Sequence, residues 1–383
     1  MSKWEEKRLE DIIDVNPPVK LKKGESYPFI DIDKVSPTRR SVTNEDVKIY
    51  DGQSSSKFCD GDTVFSRITP CLENRKIAKV AIEGDAAFGS TEFYVFRAKK
   101  TKADARFTYY LTSSDAVVLP AINSMTGASG RQRADKRFIQ RLKLNLPDLP
   151  TQERIADILS TYDDLIESNN RRIELLEQTA QELYKEWFVR FRFPGYENAK
   201  FENGLPEGWS YVRFGKAIDI IDGDRGVNYP KQEEFYPEGD CLFLNAGNVT
   251  TKGFDFSSCA YITKEKDTIL RKGKLQHGDV VLTTRGTVGN VAFYNETMTF
   301  SEMRINSGMV ILRNLGVVSP EYIYTALRHE YLQKLMTLYA SGSAQPQLPI
   351  KDMKRMKIIK ADAKTMERFT EMSADIYSQI SLL

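Results

Sequence analysis

Hydrophobic residues between positions 151 and 187 recur in alternating steps of four and three, which is the strongest structural signal along the chain. This spacing is the a/d pattern of a coiled-coil helix. Thr151 follows Pro147 and Pro150 at the predicted start, and Pro194 ends the pattern. At about 1.5 Å per residue, such a helix would be about 55 Å long. The predicted stripe consists of Ile155, Leu159, Tyr162, Ile166, Asn169, Ile173, Leu176, Ala180, Leu183 and Trp187.

The regions on either side of this helix have short β-rich runs separated by Gly and Asp. Runs of this kind predict strands, and longer apolar-periodic segments predict helices. In the first region the pattern predicts strands over 64–68, 76–82 and 93–96 and a helix over 107–119. In the second region it predicts strands over 280–283, 291–294 and 309–312 and a helix from Pro320 to about Leu338, with a loop over 340–347.

The two flanking regions are copies of one another. Trp4 begins the frame W-x3-R-[LF]-x3-I-D, and Trp209 begins the same frame 205 residues later. Further matching residues follow in the same order in both copies, and the distance in sequence between matched residues changes only slowly. Such a shared order is hard to obtain by chance. The matches pair Gly61-Asp62 with Gly278-Asp279, Arg97 with Arg313, Arg141-x-Lys143 with Arg355-x-Lys357, and Thr151-x-Glu153-Arg154 with Thr365-x-Glu367-Arg368. The period is too long for a solenoid repeat and indicates two homologous domains.

The second copy also ends in a helix, over 365–383, with the same three-four spacing. We predict that this helix pairs in antiparallel fashion with the central helix, because the two domains are then related by an approximate two-fold. In this arrangement the shorter helix covers only half of the longer one. We therefore expect the uncovered residues to dock a partner protein, unless the two domains fold back over them. These residues are Ile173, Leu176, Leu183 and Trp187.

The predicted fold class is α/β (α+β), with two homologous mixed α/β domains related by a pseudo-two-fold and separated by long helices that form an antiparallel coiled coil. The first domain is predicted over 1–150 and the central spacer helix over 151–193. The second domain is predicted over 194–363 and the C-terminal spacer helix over 364–383.

The net charge of the chain is small, but the charged residues are unevenly distributed along the sequence. The apolar share of 41% is sufficient for real cores, and the net charge is only +2. The central segment over 151–187 is acidic, whereas the flanking domains are mildly basic. We therefore expect the domains, and not the helix, to face an anionic partner. The charged N-terminus and the lack of a long apolar run predict a cytoplasmic protein that does not enter a membrane.

The sequence contains no convincing catalytic constellation. The four cysteines lack metal-ligand spacing, and the two histidines are remote from them in sequence, so we expect no metal. Asn16-Pro17-Pro18-Val19 is similar to a methyltransferase loop but lacks its aromatic residue, so a turn is the preferred interpretation. Arg285-Gly286-Thr-Val-Gly289 is glycine-rich but lacks the Lys-Ser/Thr of a phosphate-binding loop. The sequence thus predicts a non-enzymatic protein that needs no cofactor.

Candidate DNA-binding residues lie in loops that recur in both copies. A basic cluster after Gly127-Ala-Ser-Gly130 corresponds to a glutamine-rich loop in the second copy, and both precede a short helix. Lys and Arg at a helix start suit phosphate, and Gln, Asn, Ser and Arg suit base edges, although a solvated helix start is the alternative. The candidates are Arg67, Arg75, Lys76, Arg131, Gln132, Arg133, Lys136 and Arg137 in the first copy, and Arg225, Arg285, Ser343, Gln345, Gln347 and Lys351 in the second.

The whole pattern resembles the specificity subunit of a Type I restriction–modification system. The resemblance is carried by the two Trp-x3-Arg-[Leu/Phe] openings, the second within Gly204-Leu-Pro-Glu-Gly-Trp209. It is also carried by the run from Leu146 to Leu159, which leads into a long helix ending Tyr184-x2-Trp187-Phe188. Two departures are the missing prolines in the linker over 361–368 and the short last helix.

The resemblance implies two target recognition domains, each reading one half of an asymmetric bipartite sequence in double-stranded DNA. It implies helices that space the domains and hold two modification (methyltransferase) subunits, together with a restriction (nuclease/translocase) subunit that joins the complex. A role in DNA methylation and phage defence follows. The principal alternative is a coiled-coil interaction scaffold without DNA readout, and a methyltransferase or nuclease acting alone is the other class considered.

Overall fold

The computed structural model describes residues 4–44, 46–128, 130–342 and 346–383. The chain divides into two compact units, Met1–Asn169 and Asn170–Leu383. A long helix, α5 (Leu149–Tyr184), runs through the boundary between them. Each unit has its own hydrophobic core.

The first unit contains eleven strands among its described residues. The strands are β1 (Glu5–Arg8), β2 (Ile13–Val15), β3 (Ser26–Ile30), β4 (Ser41–Val42), β5 (Asp46–Ile49), β6 (Ser56–Phe58), β7 (Thr63–Ser66), β8 (Ile77–Val80), β9 (Ala87–Gly89), β10 (Phe93–Ala98) and β11 (Lys143–Leu146). The helices are α1 (Leu9–Ile12), α2 (Ala105–Ser113), α3 (Asp115–Asn123), α4 (Lys136–Gln140) and α5 (Leu149–Tyr184). One sheet has the order β2-β10-β7-β8-β4, another β5-β3-β9-β6, and β1 pairs with β11.

The second unit repeats this plan. Its strands are β12 (Phe201–Glu202), β13 (Leu205–Pro206), β14 (Ser210–Arg213), β15 (Ile218–Asp222), β16 (Cys241–Leu244), β17 (Val249–Thr250), β18 (Gly253–Phe254), β19 (Tyr261–Ile262), β20 (Asp279–Thr283), β21 (Val291–Tyr294), β22 (Met303–Ile305), β23 (Met309–Asn314) and β24 (Lys357–Lys360). Its helices are α6 (Phe214–Ala217), α7 (Lys264–Ile269), α8 (Pro320–Arg328), α9 (Glu330–Tyr339), α10 (Ile350–Met353) and α11 (Ala363–Ser381).

The shared topology confirms the duplication. The order β15-β23-β20-β21 matches β2-β10-β7-β8, and β14-β24 matches β1-β11. A parallel pair also recurs, because β3 runs parallel to β9 in the first unit and β16 runs parallel to β22 in the second. The β-rich runs that predicted three strands in each copy correspond to strands of these sheets, and β7, β10, β20 and β23 are largely buried on both faces.

In each copy, one predicted helix is wrong in the same way, because the structure divides it into two helices. The helix expected over 107–119 is two helices, α2 and α3, that meet at Ser114. The helix expected from Pro320 to Leu338 is likewise divided into α8 and α9 at His329. Both junction residues have extended backbone, and His329 also accepts a hydrogen bond from the N–H of Tyr331. The His329 side chain caps the next helix, whereas the Ser114 hydroxyl donates back to the carbonyl of Leu111. Neither contact disturbs the apolar periodicity, so the pattern alone did not reveal the two junctions.

The helix that follows each domain packs on its own domain at an equivalent place. In the first unit, the Tyr110 hydroxyl on α2 donates to Asp163 on α5 at 2.6 Å. Burial, together with this hydrogen bond, raises the pKa of Tyr110 to about 12. In the second unit, Thr325 on α8 and Tyr377 on α11 are joined through their hydroxyls at 2.6 Å. Polar contacts in both copies thus hold a helix against a domain.

The end of α5 packs within the second unit. Its last turn passes into a π-helical segment, Lys185–Val189. Trp187 lies 6.0 Å from Phe369 between ring centroids, near the start of α11, and Phe188 lies 4.9 Å from it. The end of α5 therefore lies beside the start of α11, which is what an antiparallel pairing of the two helices requires.

Candidate nucleic-acid interface

In the first unit, backbone hydrogen bonds join three short segments, around Arg67–Thr69, Gln132–Ala134 and Thr126. This set of hydrogen bonds, which we call a ladder, brings several of the predicted residues together. The N–H of Ala134 donates to the carbonyl of Arg67 at 2.8 Å, and the N–H of Thr69 donates to Gln132 at 3.0 Å. Arg133 also pairs with Thr126, through hydrogen bonds of 2.9 and 3.1 Å. The loop after β7 is therefore fixed beside the segment that leads into α4.

The second unit contains the same ladder with different side chains. The N–H of Leu348 donates to the carbonyl of Thr284 at 2.9 Å, and the N–H of Gly286 donates to Pro346 at 3.2 Å. Gln347 pairs with Ser341 through two hydrogen bonds of 2.9 Å. Isolated bridges join Ile68 to Arg133 in the first unit, and Arg285 to Gln347 in the second. Gln347 therefore occupies the position of Arg133, and Arg285 that of Ile68.

The first ladder carries a compact charged cluster. Glu92 accepts a hydrogen bond from Nε of Arg67 at 3.1 Å. It also accepts from Nε and Nη2 of Arg133, at 2.9 and 2.6 Å. The hydrogen bonds from Arg133 lower the pKa of the Glu92 carboxyl below its ordinary value, against the opposing effect of burial. Arg67 also lies over the ring of Tyr94, 5.5 Å from its centroid. We call Arg67, Glu92 and Arg133 the charged triad.

The second ladder has no equivalent carboxylate at this point. Arg285 has a buried Nε without a hydrogen-bond partner among the residues that the structure describes. Its backbone N–H donates to the carbonyl of Gly308 at 3.2 Å. Arg225, which is exposed, donates from Nη2 to the carbonyl of the neighbouring Ser307 at 3.2 Å and to Asp222 at 3.0 Å. The structure thus brings Arg225, Arg285 and Gln347 to one region.

The short helices after the ladders place further predicted residues on the surface. Arg131 and Arg137 are exposed in the first unit, and Lys351 is exposed in the second, whereas Lys136 is half-buried. The start of α4 is already capped, since Asp135 accepts from the N–H groups of Arg137 and Phe138 at 2.7 and 3.0 Å. Two N–H groups at this helix start are therefore occupied, so we expect phosphate contacts there to come mainly from side chains.

Two predicted residues are engaged elsewhere. Arg75 donates to the carbonyl of Ser113 at 3.2 Å and forms an ion pair with Asp115, so its guanidinium joins a loop to the start of α3. Lys76 donates to the carbonyl of Ile32 at 3.0 Å. The sequence placed both beside a strand end but could not show these partners. Ser343 and Gln345 lie outside the described residues.

The predicted docking stripe on α5 is also corrected. Trp187 is only 5% exposed and lies in the core of the second unit, where Phe369 and its aromatic neighbours cover it. Leu176 and Leu183 pack against the same core, and Ile173 is half-buried. The stripe therefore contacts its own chain, as in the alternative in which a domain covers it. The reason is that α8 and α11 together present enough aromatic surface to enclose this helix end.

Sequence reasoning missed the residues that complete the ladders, namely Glu92, Tyr94, Thr284 and Gly308. Glu92 follows a polar Gly-Ser-Thr run, and a carboxylate was not expected on a surface suited to an anion. The detectable signal was the internal alignment: the offset of 216 that pairs Arg97 with Arg313 also pairs Glu92 with Gly308. The structure confirms this pairing of positions, because Arg67 N–H donates to Glu92 O and Thr284 N–H donates to Gly308 O, each at 2.9 Å.

In the part of the chain that the structure describes, no cluster of three or more His, Cys, Asp or Glu side chains is arranged to hold a metal ion. None of the helices in that part is both long and apolar enough to cross a lipid bilayer. Asn16, from the Asn-Pro-Pro-Val run, accepts from the N–H of Val95 at 2.8 Å, a contact that joins the segment after β2 to β10.

Comparison with known proteins assigns the class. The family model for the Type I restriction modification DNA specificity domain matches residues 1–178 and again residues 206–378. The chain therefore belongs to this family, and it is a Type I restriction–modification specificity subunit with two target recognition domains. The duplicated ladder is accordingly a feature of two recognition domains.

Two relatives are distant in sequence but cover nearly the whole chain. The Type I restriction enzyme MjaIX specificity subunit of Methanocaldococcus jannaschii is 23% identical, across 98% of this chain and 87% of its own length. The putative MjaX specificity subunit of the same organism is 25% identical, across 93% and 82%. The crystal structure of a Type I restriction–modification S subunit from M. genitalium covers 99% of this chain and 89% of its own, with a TM-score of 0.57 at 13% identity. That structural likeness supports the fold.

Proposed function

We propose that the chain binds double-stranded DNA and that each domain reads one half of an asymmetric bipartite target. The observation that carries this proposal is the duplicated ladder, which presents different side chains at equivalent positions. Arg133 in the first domain and Gln347 in the second share one place on one backbone frame. Two recognition surfaces with the same frame and different polar groups suit two different short sequences.

The helices complete the proposed function by docking the modification subunits, and a restriction subunit joins the assembly. The first half of α5 carries an exposed apolar face, in which Ile158, Tyr162, Leu165 and Ile166 are each more than half exposed. In α11 the residue matching Tyr162 is Ile376, which is only 9% exposed. At this position the helix face is therefore covered in one copy and open in the other. An open apolar face of this size is typical of a protein-binding surface.

Binding-site selection tests the DNA-reading role. The full chain, assembled with its modification subunits, is mixed with duplexes that contain a long random segment, and bound duplexes are sequenced. We expect one enriched motif with two short specified halves and an unspecified spacer between them. Exchanging residues 1–145 for the domain of a relative should change one half alone. A wild-type complex that enriches no sequence would contradict the proposal and favour a scaffold without DNA readout.

A further inference from the structure

The charged triad is held by both backbone and side-chain hydrogen bonds. Arg67 is tied to Glu92 by a backbone hydrogen bond of 2.9 Å, and its carbonyl accepts from Ala134 at 2.8 Å. The three side chains come from three separate loops, and Glu92 joins them. Its side chain is 20% exposed, whereas those of Arg67 and Arg133 are 29% and 43% exposed. The carboxylate is thus the most enclosed member, and the two guanidinium groups reach the surface.

Arg133 retains donors that Glu92 does not occupy. Glu92 occupies the side of the guanidinium formed by Nε and Nη2. The other end has Nη1 and the second hydrogen of Nη2, with one long contact from Nη1 to the carbonyl of Arg131 at 3.4 Å. An arginine fork held on one side and open at its end matches the O6 and N7 acceptors of guanine. Fixing the fork beforehand reduces the ordering cost of binding.

The second domain replaces all three members of the charged triad with neutral residues. Thr284 stands at the position of Arg67, Gly308 at that of Glu92 and Gln347 at that of Arg133. A Gln side chain offers one donor and one acceptor, the pattern that matches adenine N7 and N6. Without an arginine at the Gln347 position, no carboxylate is needed to orient one.

Ion pairs that belong to the shared fold occur in both copies. Asp62 and Arg97 form such a pair in the first domain, and Asp279 and Arg313 repeat it at the equivalent place in the second. The charged triad is instead present in one domain only, on the ladder where the two recognition surfaces differ. It therefore belongs with the features that distinguish the two domains and not with those that hold the shared fold together.

We propose that Glu92 is a positioning residue that aims Arg133 at a guanine in the half-site of the first domain, whereas Gln347 reads an adenine at the equivalent place in the other half-site. This inference rests on the proposed function, since it assumes that the ladders face DNA. Glu92 does not itself contact the base in this scheme. It holds the guanidinium in one orientation and offsets the repulsion between Arg67 and Arg133.

The test uses binding-site selection with the full chain assembled with its modification subunits. Arg133→Gln imports the residue of the second domain. We expect it to lower the preference for guanine at one position by about 5- to 150-fold, the range for one bidentate base contact, and to leave the other half-site unchanged. Glu92→Gln should keep the preferred base but weaken discrimination at that same position, because the fork loses its fixed orientation. Arg133→Lys should not restore the preference, because an ammonium group lacks the fork.

Controls separate the possible failures. Arg154→Gln, on the exposed surface of α5, should change neither half-site. Gln347→Arg alters the second domain independently and should shift the matching position there toward guanine, so the inference stays testable if Arg133→Gln does not fold. If both Arg133 and Gln347 variants fold and keep the wild-type motif at every position, the inference is overturned while the DNA-reading role stands. If the wild-type complex selects no motif, the proposed function fails first.

Discussion

Arg97 donates Nε and Nη2 to the two carboxylate oxygens of Asp62, at 2.7 and 2.6 Å, and thereby joins β10 to the turn before β7. Asp62 is only 2% exposed and also accepts from the N–H of Cys59 at 2.7 Å. The second domain repeats this relationship between Arg313 and Asp279, at 2.9 and 2.7 Å. A bidentate pair on a buried carboxylate is strong in geometry and costly to break.

We therefore expect Arg97→Ala to destabilise the first unit. Removing one partner of a buried ion pair costs roughly 3–5 kcal/mol, and the lower end applies here because Arg97 is partly exposed and Asp62 keeps its backbone donor. Urea unfolding of the full chain measures the loss, and Arg39→Ala, at an exposed arginine, is the control. An unchanged midpoint for Arg97→Ala would show that water replaces the guanidinium without cost.

Glu92 should make the free energy of unfolding of the chain depend on pH in the acid range. Hydrogen bonds from Arg133 lower its folded-state pKa below the ordinary 4.5, so its ionised form stabilises the fold above that value. This contribution is lost as the pH falls through the lowered pKa. The free energy of unfolding of the wild-type chain should thus decline more steeply below pH 4.5 than that of Glu92→Gln. If the free energy of unfolding falls in parallel with pH for the two proteins, the ionised carboxylate of Glu92 is not stabilised by Arg67 and Arg133.

The duplication and most of the central strands could be predicted from the sequence. Strands such as β7 and β20 are short apolar runs between turn residues, and their pairing partners follow the same order in both copies. The long helix was equally clear, because its apolar spacing persists along its whole length. Patterns of this kind depend on local periodicity, which a single sequence contains.

The partners of individual polar side chains could not be predicted. Nothing in the sequence near Arg75 indicates Asp115, and nothing near Arg133 indicates Glu92, since these contacts join segments about 40 residues apart. The burial of Trp187 was missed for the same reason. An a/d stripe shows that a helix face is apolar, but it does not show whether a domain or another protein covers it.

Substitutions in the first half of α5 and in the π-helical segment that follows it should have different effects on the stability of the isolated chain. Trp187→Ala should cost about 3–5 kcal/mol, because it empties a buried aromatic position beside Phe369. Tyr162→Asp changes a side chain that is 64% exposed, so the stability of the isolated chain should move by no more than about 0.5 kcal/mol. The same substitution should abolish co-purification of the modification subunits, because a charge is placed on the open apolar face.

Thermal unfolding and pull-down with the tagged chain provide both measurements. Glu167→Ala, at an exposed polar position on the same helix, serves as the matched control and should leave binding intact. If Tyr162→Asp retains the modification subunits at wild-type yield, the docking surface lies away from the first half of α5.

The last prediction concerns Arg137 and Lys351, which occupy equivalent positions after the two ladders and are both exposed. Because Asp135 caps the start of α4, we expect Arg137 to bind phosphate through its side chain. We expect Lys351, at the matching place on α10, to do the same. Replacing either cation by alanine should therefore lower the slope of log K against log salt by about 0.9 and weaken binding to all sequences alike. Binding to the selected duplex and to an unrelated duplex, each measured at several salt concentrations, gives both quantities.

Arg154→Ala should leave the slope unchanged, because the acidic helix is expected to face away from DNA. If the Arg137 and Lys351 variants alter the preferred base while the slope stays constant, these side chains read base edges; if neither quantity moves, the surface after the ladders does not bind DNA.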